Sequence, residues 1–130
     1  MIVVDASALL DAVLESRADG VLDSIAAADE TLHAPHLVDL EVVSGLRRLS
    51  RSGQLRPAEA DACLATFRMI RIRRHSHEPL LQRIWELRPS TGAYDAAYIA
   101  LAEVLGCTLL TADARLARST GHEATIRLVS

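Results

Sequence analysis

Short apolar or alternating runs recur along this chain, separated by longer segments with helical spacing of apolar residues. The runs predict five strands, at Ile2–Val4, Thr31–Ala34, Met69–Arg73, Thr108–Thr111 and Ile126–Val129. Short strands that alternate with helices indicate a parallel sheet with helices on both faces. The predicted fold class is therefore α/β.

The segments between the runs predict helices. They cover Ser7–Glu15, about Ala18–Ala28, His36–Ser52, Pro57–Phe67, Glu78–Leu87 and Tyr94–Leu105, with a short helix after Asp113. Pro57 suits the start of a helix, and Gly106 suits the end of one. A length of 130 residues predicts a single domain spanning 1–130.

The composition of the chain bears on where the protein is located more than on which reaction it catalyses. Half of the residues are apolar and the net charge is -3, so there is no general attraction for nucleic acid. Every basic residue is arginine, whose planar fork suits phosphates. The two cysteines form no CxxC motif, and we find neither a signal peptide nor a membrane-spanning stretch. We therefore expect a cytoplasmic protein.

Carboxylates follow two of the predicted strands. Asp5 comes directly after the first strand, and Asp113 comes shortly after the fourth. Either could be only a helix N-cap, and Asp95 lies in a first helical turn, where the helix dipole favours an acid anyway. Because sites in parallel sheets form at the carboxyl ends of the strands, we expect Asp5 and Asp113 at the same edge.

Glu41 is harder to explain as a structural residue. Apolar residues cover most of its predicted helix, so the helix is expected to be largely buried. A buried carboxylate needs a partner, which here is either Arg48 or a metal ion. Asp39 points away from Glu41 and lies in the first turn, so we leave it out of the candidate site.

Four carboxylates in one cleft would repel one another unless cations relieve the repulsion. Oxygen-only ligation favours Mg²⁺ or Mn²⁺ over zinc. Magnesium usually shares its site with phosphate oxygens, so the carboxylates indicate phosphoester chemistry.

Four motifs in order now carry a resemblance to a known family: VVDASALL, PHLVDLEVVSGL, GAYDAAYIALAE and LLTADARLAR. With them, the whole chain resembles a PIN-domain ribonuclease, in particular a VapC-type toxin of bacterial toxin–antitoxin modules. The resemblance implies a three-layer α/β/α fold, Mg²⁺- or Mn²⁺-dependent endonuclease activity on single-stranded RNA, and inhibition by a cognate, VapB-like antitoxin. It carries the catalytic, metal-binding acids onto Asp5, Glu41, Asp95 and Asp113. Supporting hydroxyls fall on Ser7 and Thr111.

Arginines are the candidates for contact with RNA phosphates. Arg115 and Arg118 follow Asp113 closely, so they are better placed than Arg71 and Arg73, which share one face of a predicted strand. That pair could equally be the charge that blunts an edge strand. The four aromatic residues are too few for a stacking platform, and we expect most of them in the core.

The helix from His36 and the helices near the N-terminus carry more apolar residues than one face can bury, which indicates binding partners. We expect a homodimer, with a groove for an amphipathic antitoxin segment that places an arginine near Asp5 and Asp95. The alternatives are a housekeeping PIN nuclease or a non-catalytic partner-binding module. A phosphatase or receiver domain fits less well, since position 7 is serine and the chain has no lysine.

Overall fold

The structure, a computed structural model, describes residues 1–14 and 29–129. Within these residues one sheet contains β1 (Ile2–Val4), β2 (Leu32–Pro35), β3 (Ile72–His75), β4 (Leu109–Thr111) and β5 (Ile126–Leu128). The order across the sheet is β3-β2-β1-β4-β5, and every neighbouring pair is parallel. The predicted sheet of five parallel strands is confirmed.

Helices flank this sheet. They are α1 (Ala6–Leu14), α2 (Val38–Arg51), α3 (Pro57–Met69), α4 (Leu81–Glu86), α5 (Ala93–Leu105) and α6 (Ala114–Ala117). The first three pack against one another, and α4 packs against α5, so the fold has the three layers that were predicted. The helix predicted at about 18–28 lies outside the described residues. In the described part of the chain, no helix is both long and apolar enough to cross a bilayer.

Three predicted elements differ from the structure, one of them the helix predicted at Glu78–Leu87, whose first turn, Glu78–Leu80, is a 3-10 helix before α4. The third strand begins three residues later than predicted, because α3 continues to Met69 and β3 pairs with β2 from Ile72 to His75. Helix α2 is amphipathic rather than largely buried. Its inner face holds Val38, Val42, Gly45 and Leu46, whereas Leu40 is 74% exposed and Val43 is 46% exposed.

The order of the strands positions the carboxylates. The chain runs from β1 outward through β2 to β3, then returns to place β4 on the other side of β1. The carboxyl ends of β1 and β4 therefore form the switch point of the sheet, where sites in such folds lie. Val4 is in register with Leu110, so the loops that begin at Asp5 and Ala112 are neighbours. This confirms that Asp5 and Asp113 lie at the same edge.

A pair of histidines joins β2 to the edge strand β3. His33 is buried, and its Nδ1 lies 2.8 Å from Nε2 of His75, while its Nε2 lies 3.0 Å from the hydroxyl of Thr31. Burial lowers the pKa of both rings, and the positive charge of Arg73 lowers it further. Folding therefore favours the neutral form of both rings.

The histidine pair should make the fold sensitive to acid. Its pKa values are lowered on folding, so the stability it contributes is present above the ordinary histidine pKa of about 6.5 and is lost as the pH falls from that value through the lowered pKa of the folded state. Between pH 7.5 and pH 5.5 we therefore expect the wild type to lose melting temperature relative to His75→Gln, which keeps a hydrogen-bonding group that does not titrate. Each kcal/mol lost would lower it by about 3–6 °C. His77→Gln, at an exposed histidine, is the control, and equal pH dependence in all three proteins would contradict this account.

Candidate active site

Asp5 is a buried carboxylate held by three donors. Its Oδ1 accepts hydrogen bonds from the Ser7 hydroxyl at 2.7 Å and from the Ala8 amide at 2.9 Å, and its Oδ2 accepts one from the Thr111 hydroxyl at 2.5 Å. The Ala8 contact is a helix N-cap, so the prediction that Asp5 caps a helix is confirmed. It does not account for the two hydroxyls, which come from α1 and from the end of β4.

The two hydroxyls also tie the β1 and β4 loops together. The Ser7 oxygen accepts a hydrogen bond from the amide of Ala112, and the Thr111 oxygen accepts one from the amide of Asp113. The two oxygens lie 3.2 Å apart. Ser7 and Thr111 therefore lie where the resemblance put them, against Asp5, and they fix its carboxylate relative to the backbone before Asp113.

Asp113 is the N-cap of α6. Its Oδ1 accepts hydrogen bonds from the amides of Arg115 at 2.8 Å and Leu116 at 3.3 Å. This capping role was one of the two interpretations left open by the sequence. It occupies one oxygen of the carboxylate, and the side chain still borders the same cavity as Asp5.

The side chain that pairs with Glu41 is Tyr98 rather than Arg48, and metal binding by Glu41 stays a prediction. Tyr98, on α5, donates its hydroxyl to Glu41 Oε1 at 2.7 Å. Arg48 lines the same cavity but forms no ion pair with Glu41 within the described residues, because seven residues separate them, which is about 10 Å along a helix. Reasoning from the sequence missed Tyr98. Its position three residues after Asp95, on the same face of a helix, was the available signal.

One cavity of about 750 Å³ brings the four predicted acids together. Asp5 and Asp113 come from the strand ends, Glu41 from α2 and Asp95 from the first turn of α5. The rest of its lining is Ala6, Ser7, Leu10, Leu37, Leu40, Ser44, Gly45, Arg48, Tyr94 and Tyr98. The lining thus combines acidic groups with the apolar side chains of α1 and α2.

Electrostatics in this cavity favour the binding of a cation. Burial raises the pKa of Asp5, Glu41 and Asp95, and the carboxylates raise one another's pKa further. The charge of Arg115 partly offsets this at Asp95. In the described part of the chain none of the four acids forms an ion pair, and Asp95 accepts no hydrogen bond. A positive charge entering the cavity would therefore relieve an unfavourable arrangement.

The donor set fits magnesium or manganese better than zinc. All four candidates are carboxylate oxygens, with no histidine or cysteine in the cavity lining. Among the described residues, no three acidic, histidine or cysteine side chains are grouped closely enough to enclose a metal ion by themselves. Magnesium is commonly held by one or two carboxylates and several waters, so a spread set of carboxylates is compatible with it.

Another cavity, of about 690 Å³, lies at the opposite edge of the sheet. It also contains acids, but Arg83 binds Glu103 through two hydrogen bonds at 2.8 and 2.9 Å. This pair lowers the pKa of Glu103 and balances its charge. The acids of the first cavity have no such basic partner within the described residues.

The fold places some of the candidate arginines near the acidic cavity and others far from it. Arg115 is exposed beside the acids, and its charge acts on Asp95, while Arg118 is exposed at the end of α6. Arg71 and Arg73 are also exposed, but they lie just before and within β3, the edge strand, so the structure does not bring them to the cavity. Their place on an edge strand agrees with the alternative of a charge-blunted edge.

The structure agrees with the expectation for Asp39. Asp39 lies outside the cavity lining, as expected, and forms a two-pronged ion pair with Arg74 at 2.6 and 2.7 Å.

The aromatic residues were expected mainly in the core, and that prediction was half wrong. Phe67 and Tyr98 are buried, whereas Trp85 is 62% exposed and Tyr94, at the rim of the cavity, is 69% exposed.

Comparison with known proteins extends the resemblance found in the sequence. A family model described as the PIN domain matches residues 2–121. Ribonuclease VapC9 of Mycobacterium tuberculosis is 47% identical over 129 residues, which cover 99% of this chain and 98% of the relative. Ribonuclease VapC12 of the same organism is 38% identical over 130 residues, which cover 100% of both chains.

Solved structures show the same fold. PAE2754 from Pyrobaculum aerophilum superposes with a TM-score of 0.71 at 25% identity, over 96% of this chain and 81% of that one. Mycobacterium tuberculosis VapC20, described as a toxin that cleaves the sarcin–ricin loop, superposes with a TM-score of 0.64 at 19% identity. That match covers 95% of this chain and 97% of VapC20, and it is a likeness of fold alone.

Proposed function

This chain belongs to the PIN-domain family, among the VapC ribonucleases, and we propose that it is a toxin that hydrolyses phosphodiester bonds of single-stranded RNA with Mg²⁺ or Mn²⁺. The observation that carries the proposal is the single cavity lined by four carboxylates that have no basic partner in the described part of the chain. The reaction would take place in the cytoplasm, where the RNA is. A non-catalytic binding module would have no need of such a costly arrangement of charge.

Asp5, Glu41, Asp95 and Asp113 are the residues that would hold the metal. When bound, such an ion activates water and neutralises charge that develops on the phosphate. Asp5 is the most rigid of the four, since three donors fix it, yet a carboxylate has about four lone-pair sites and can accept further contacts. Ser7 and Thr111 would thus act by orienting Asp5.

Asp95 is the best candidate to accept a proton from the attacking water. It accepts no hydrogen bond within the described residues, so its oxygens can accept one from water. Asp113 and Asp5 are less suited to that step because amides and hydroxyls already occupy oxygens of both.

Comparing cleavage of single-stranded RNA with cleavage of duplex RNA tests this proposal directly. We expect the purified chain with Mn²⁺ to cleave a single-stranded RNA internally, and to leave the same sequence intact when it is annealed to its complement. Mapping the new ends in total cellular RNA would then identify the target. Cleavage of the duplex alone, or release of single nucleotides from an end, would contradict the proposal.

Arg115 is proposed to contact an RNA phosphate beside Asp95. In an Asp5→Asn background, which prevents turnover, we expect Arg115→Gln to weaken RNA binding several-fold and to reduce the slope of log affinity against log salt by about 0.7. Fluorescence anisotropy at three salt concentrations measures both. Arg127→Gln, at an exposed arginine on β5, is the control. Equal slopes in the two variants would remove Arg115 from the RNA site. The same comparison with Arg118, Arg71 and Arg73 tests the remaining candidates.

A VapB-like antitoxin and a second copy of the chain are the proposed partners. Leu40 and Val43 are exposed on α2, and Leu40 and the exposed Tyr94 line the cavity. These apolar groups suit an amphipathic antitoxin segment, and the acids suit an arginine that enters the cavity. A housekeeping PIN nuclease would share the chemistry but would need no such inhibitor.

A further inference from the structure

Tyr98 contacts the acidic cavity without being an acid, and we propose that it is a positioning residue of the metal site. Its hydroxyl holds one oxygen of Glu41 so that the other oxygen is available to a divalent cation. The inference rests on the proposed function, because it assumes that Glu41 is a metal ligand.

The geometry places Tyr98 between the acidic elements. It lies on α5 one helical turn after Asp95, so both side chains share a face of that helix, and both line the cavity. Its hydroxyl lies 2.7 Å from Glu41 Oε1, which belongs to α2. The contact therefore fixes the distance between two helices that each supply a proposed ligand.

The hydroxyl is a lasting donor. Tyr98 is 1% exposed. A phenol hydroxyl is a hydrogen-bond donor at neutral pH. Only Oε1 of Glu41 is engaged, and Oε2 accepts no hydrogen bond from any residue in the described ranges. One oxygen is thus used for orientation and the other remains for a ligand.

The side chain of Glu41 is held less firmly by its own helix than the side chains of Asp5 and Asp113 are. Asp5 and Asp113 are short side chains fixed by backbone amides of their own helices. Glu41 lies in the first turn of α2, beyond its N-cap, and has a longer side chain whose ordering costs conformational entropy. A hydroxyl that orients it before the ion arrives removes part of that cost from binding. Outer partners of this kind typically contribute about 10–100-fold to metal affinity.

Packing alone does not explain the hydroxyl. A phenylalanine ring would fill the same buried space without requiring a hydrogen-bond partner, whereas a buried phenol must find one. The hydroxyl of Tyr98 donates to a proposed ligand, Glu41, while the backbone amide of Ala6 lies within reach of its oxygen. The proton of the hydroxyl therefore serves Glu41.

The test uses Mn²⁺ alone as the probe, with titration calorimetry as the readout. We expect Tyr98→Phe to bind Mn²⁺ about 10–100-fold more weakly than the wild-type chain. RNA cleavage should fall at low Mn²⁺ and recover in part at high Mn²⁺. Thr91→Val is the matched control, since it removes a half-buried hydroxyl that donates to the Leu87 carbonyl and contacts no carboxylate. It should bind Mn²⁺ as the wild type does.

A double-mutant cycle separates positioning from general support of the fold. If Tyr98 acts through Glu41, Tyr98→Phe should cost little further affinity in a Glu41→Gln background. An equal loss in both backgrounds, or wild-type affinity in Tyr98→Phe, would overturn the inference. Should Tyr98→Phe not fold, Glu41→Asp serves instead. It keeps the charge but shortens the reach to the hydroxyl, so wild-type affinity in that variant would likewise overturn it. A wild-type chain that neither binds Mn²⁺ nor cleaves RNA would refute the proposed function itself, and the inference with it.

Discussion

Asp95→Asn is expected to lower RNA cleavage by at least about a hundredfold, because a catalytic metal contributes several kcal/mol and each 1.4 kcal/mol is tenfold in rate. At the same time, the melting temperature of the metal-free protein should stay the same or rise. Burial raises the pKa of Asp95, and Asp113 and Asp5 raise it further. Folding therefore favours the protonated form, and stability falls as pH rises from about 4 through the raised pKa. At pH 7 the ionised side chain destabilises the fold, and asparagine removes that cost.

The control for this prediction lies on α2. Asp39→Asn also removes one carboxylate charge, but Asp39 is paired with Arg74 outside the cavity. It should retain cleavage and lose up to about 1 kcal/mol of stability, as expected for a partly exposed ion pair. Thermal melting in chelator at pH 7 and a cleavage assay in Mn²⁺ measure the two effects separately. A well-folded Asp95→Asn variant with full activity would exclude Asp95 from the reaction.

Expression of this chain alone is expected to abolish colony formation by a bacterial host, whereas co-expression with its cognate antitoxin should restore it. The expected effect is large because a free ribonuclease acts on RNA throughout the cell. The test pairs the chain with the small open reading frame beside it and asks for co-purification as well as rescue. A harmless chain with no co-purifying partner would favour a housekeeping nuclease.

The chemistry of the cavity predicts how the partner inhibits. An arginine of the antitoxin that enters beside Asp5 and Asp95 would occupy the place of the cation, and replacing it with alanine should weaken inhibition more than binding. Leu40, Val43 and Tyr94 are exposed and would keep their apolar contacts with the rest of the peptide. The binding affinity and the concentration needed for half-inhibition, measured on the same partner variant, give the comparison. Equal losses in both would mean that the arginine only anchors the peptide.

Much of the fold could be predicted from the sequence because the signals are local. Three branched residues before Asp5 indicate a buried strand, and alternation of such strands with helices indicates a parallel sheet. Once the sheet is parallel, the carboxyl ends of its strands share an edge, so Asp5 and Asp113 fall together without knowledge of any contact. The four motifs of the resemblance then select the same acids that line the cavity.

The features that were missed depend on contacts between distant segments. Tyr98 and Glu41 are 57 residues apart, and no local pattern pairs them. Arg48 was considered as the partner of Glu41 because both lie on one helical face, but the rise along the helix separates them. The buried width of α2 was overestimated because Leu40 and Val43 are apolar yet exposed.

Cleavage of a single-stranded RNA by the purified chain, first stripped of metal and then supplied with Mn²⁺, tests the four-carboxylate metal site most directly. The account predicts no cleavage in chelator, recovery when Mn²⁺ exceeds the chelator, and no recovery in Asp95→Asn under the same conditions. Full cleavage by the wild-type chain in excess chelator would contradict it.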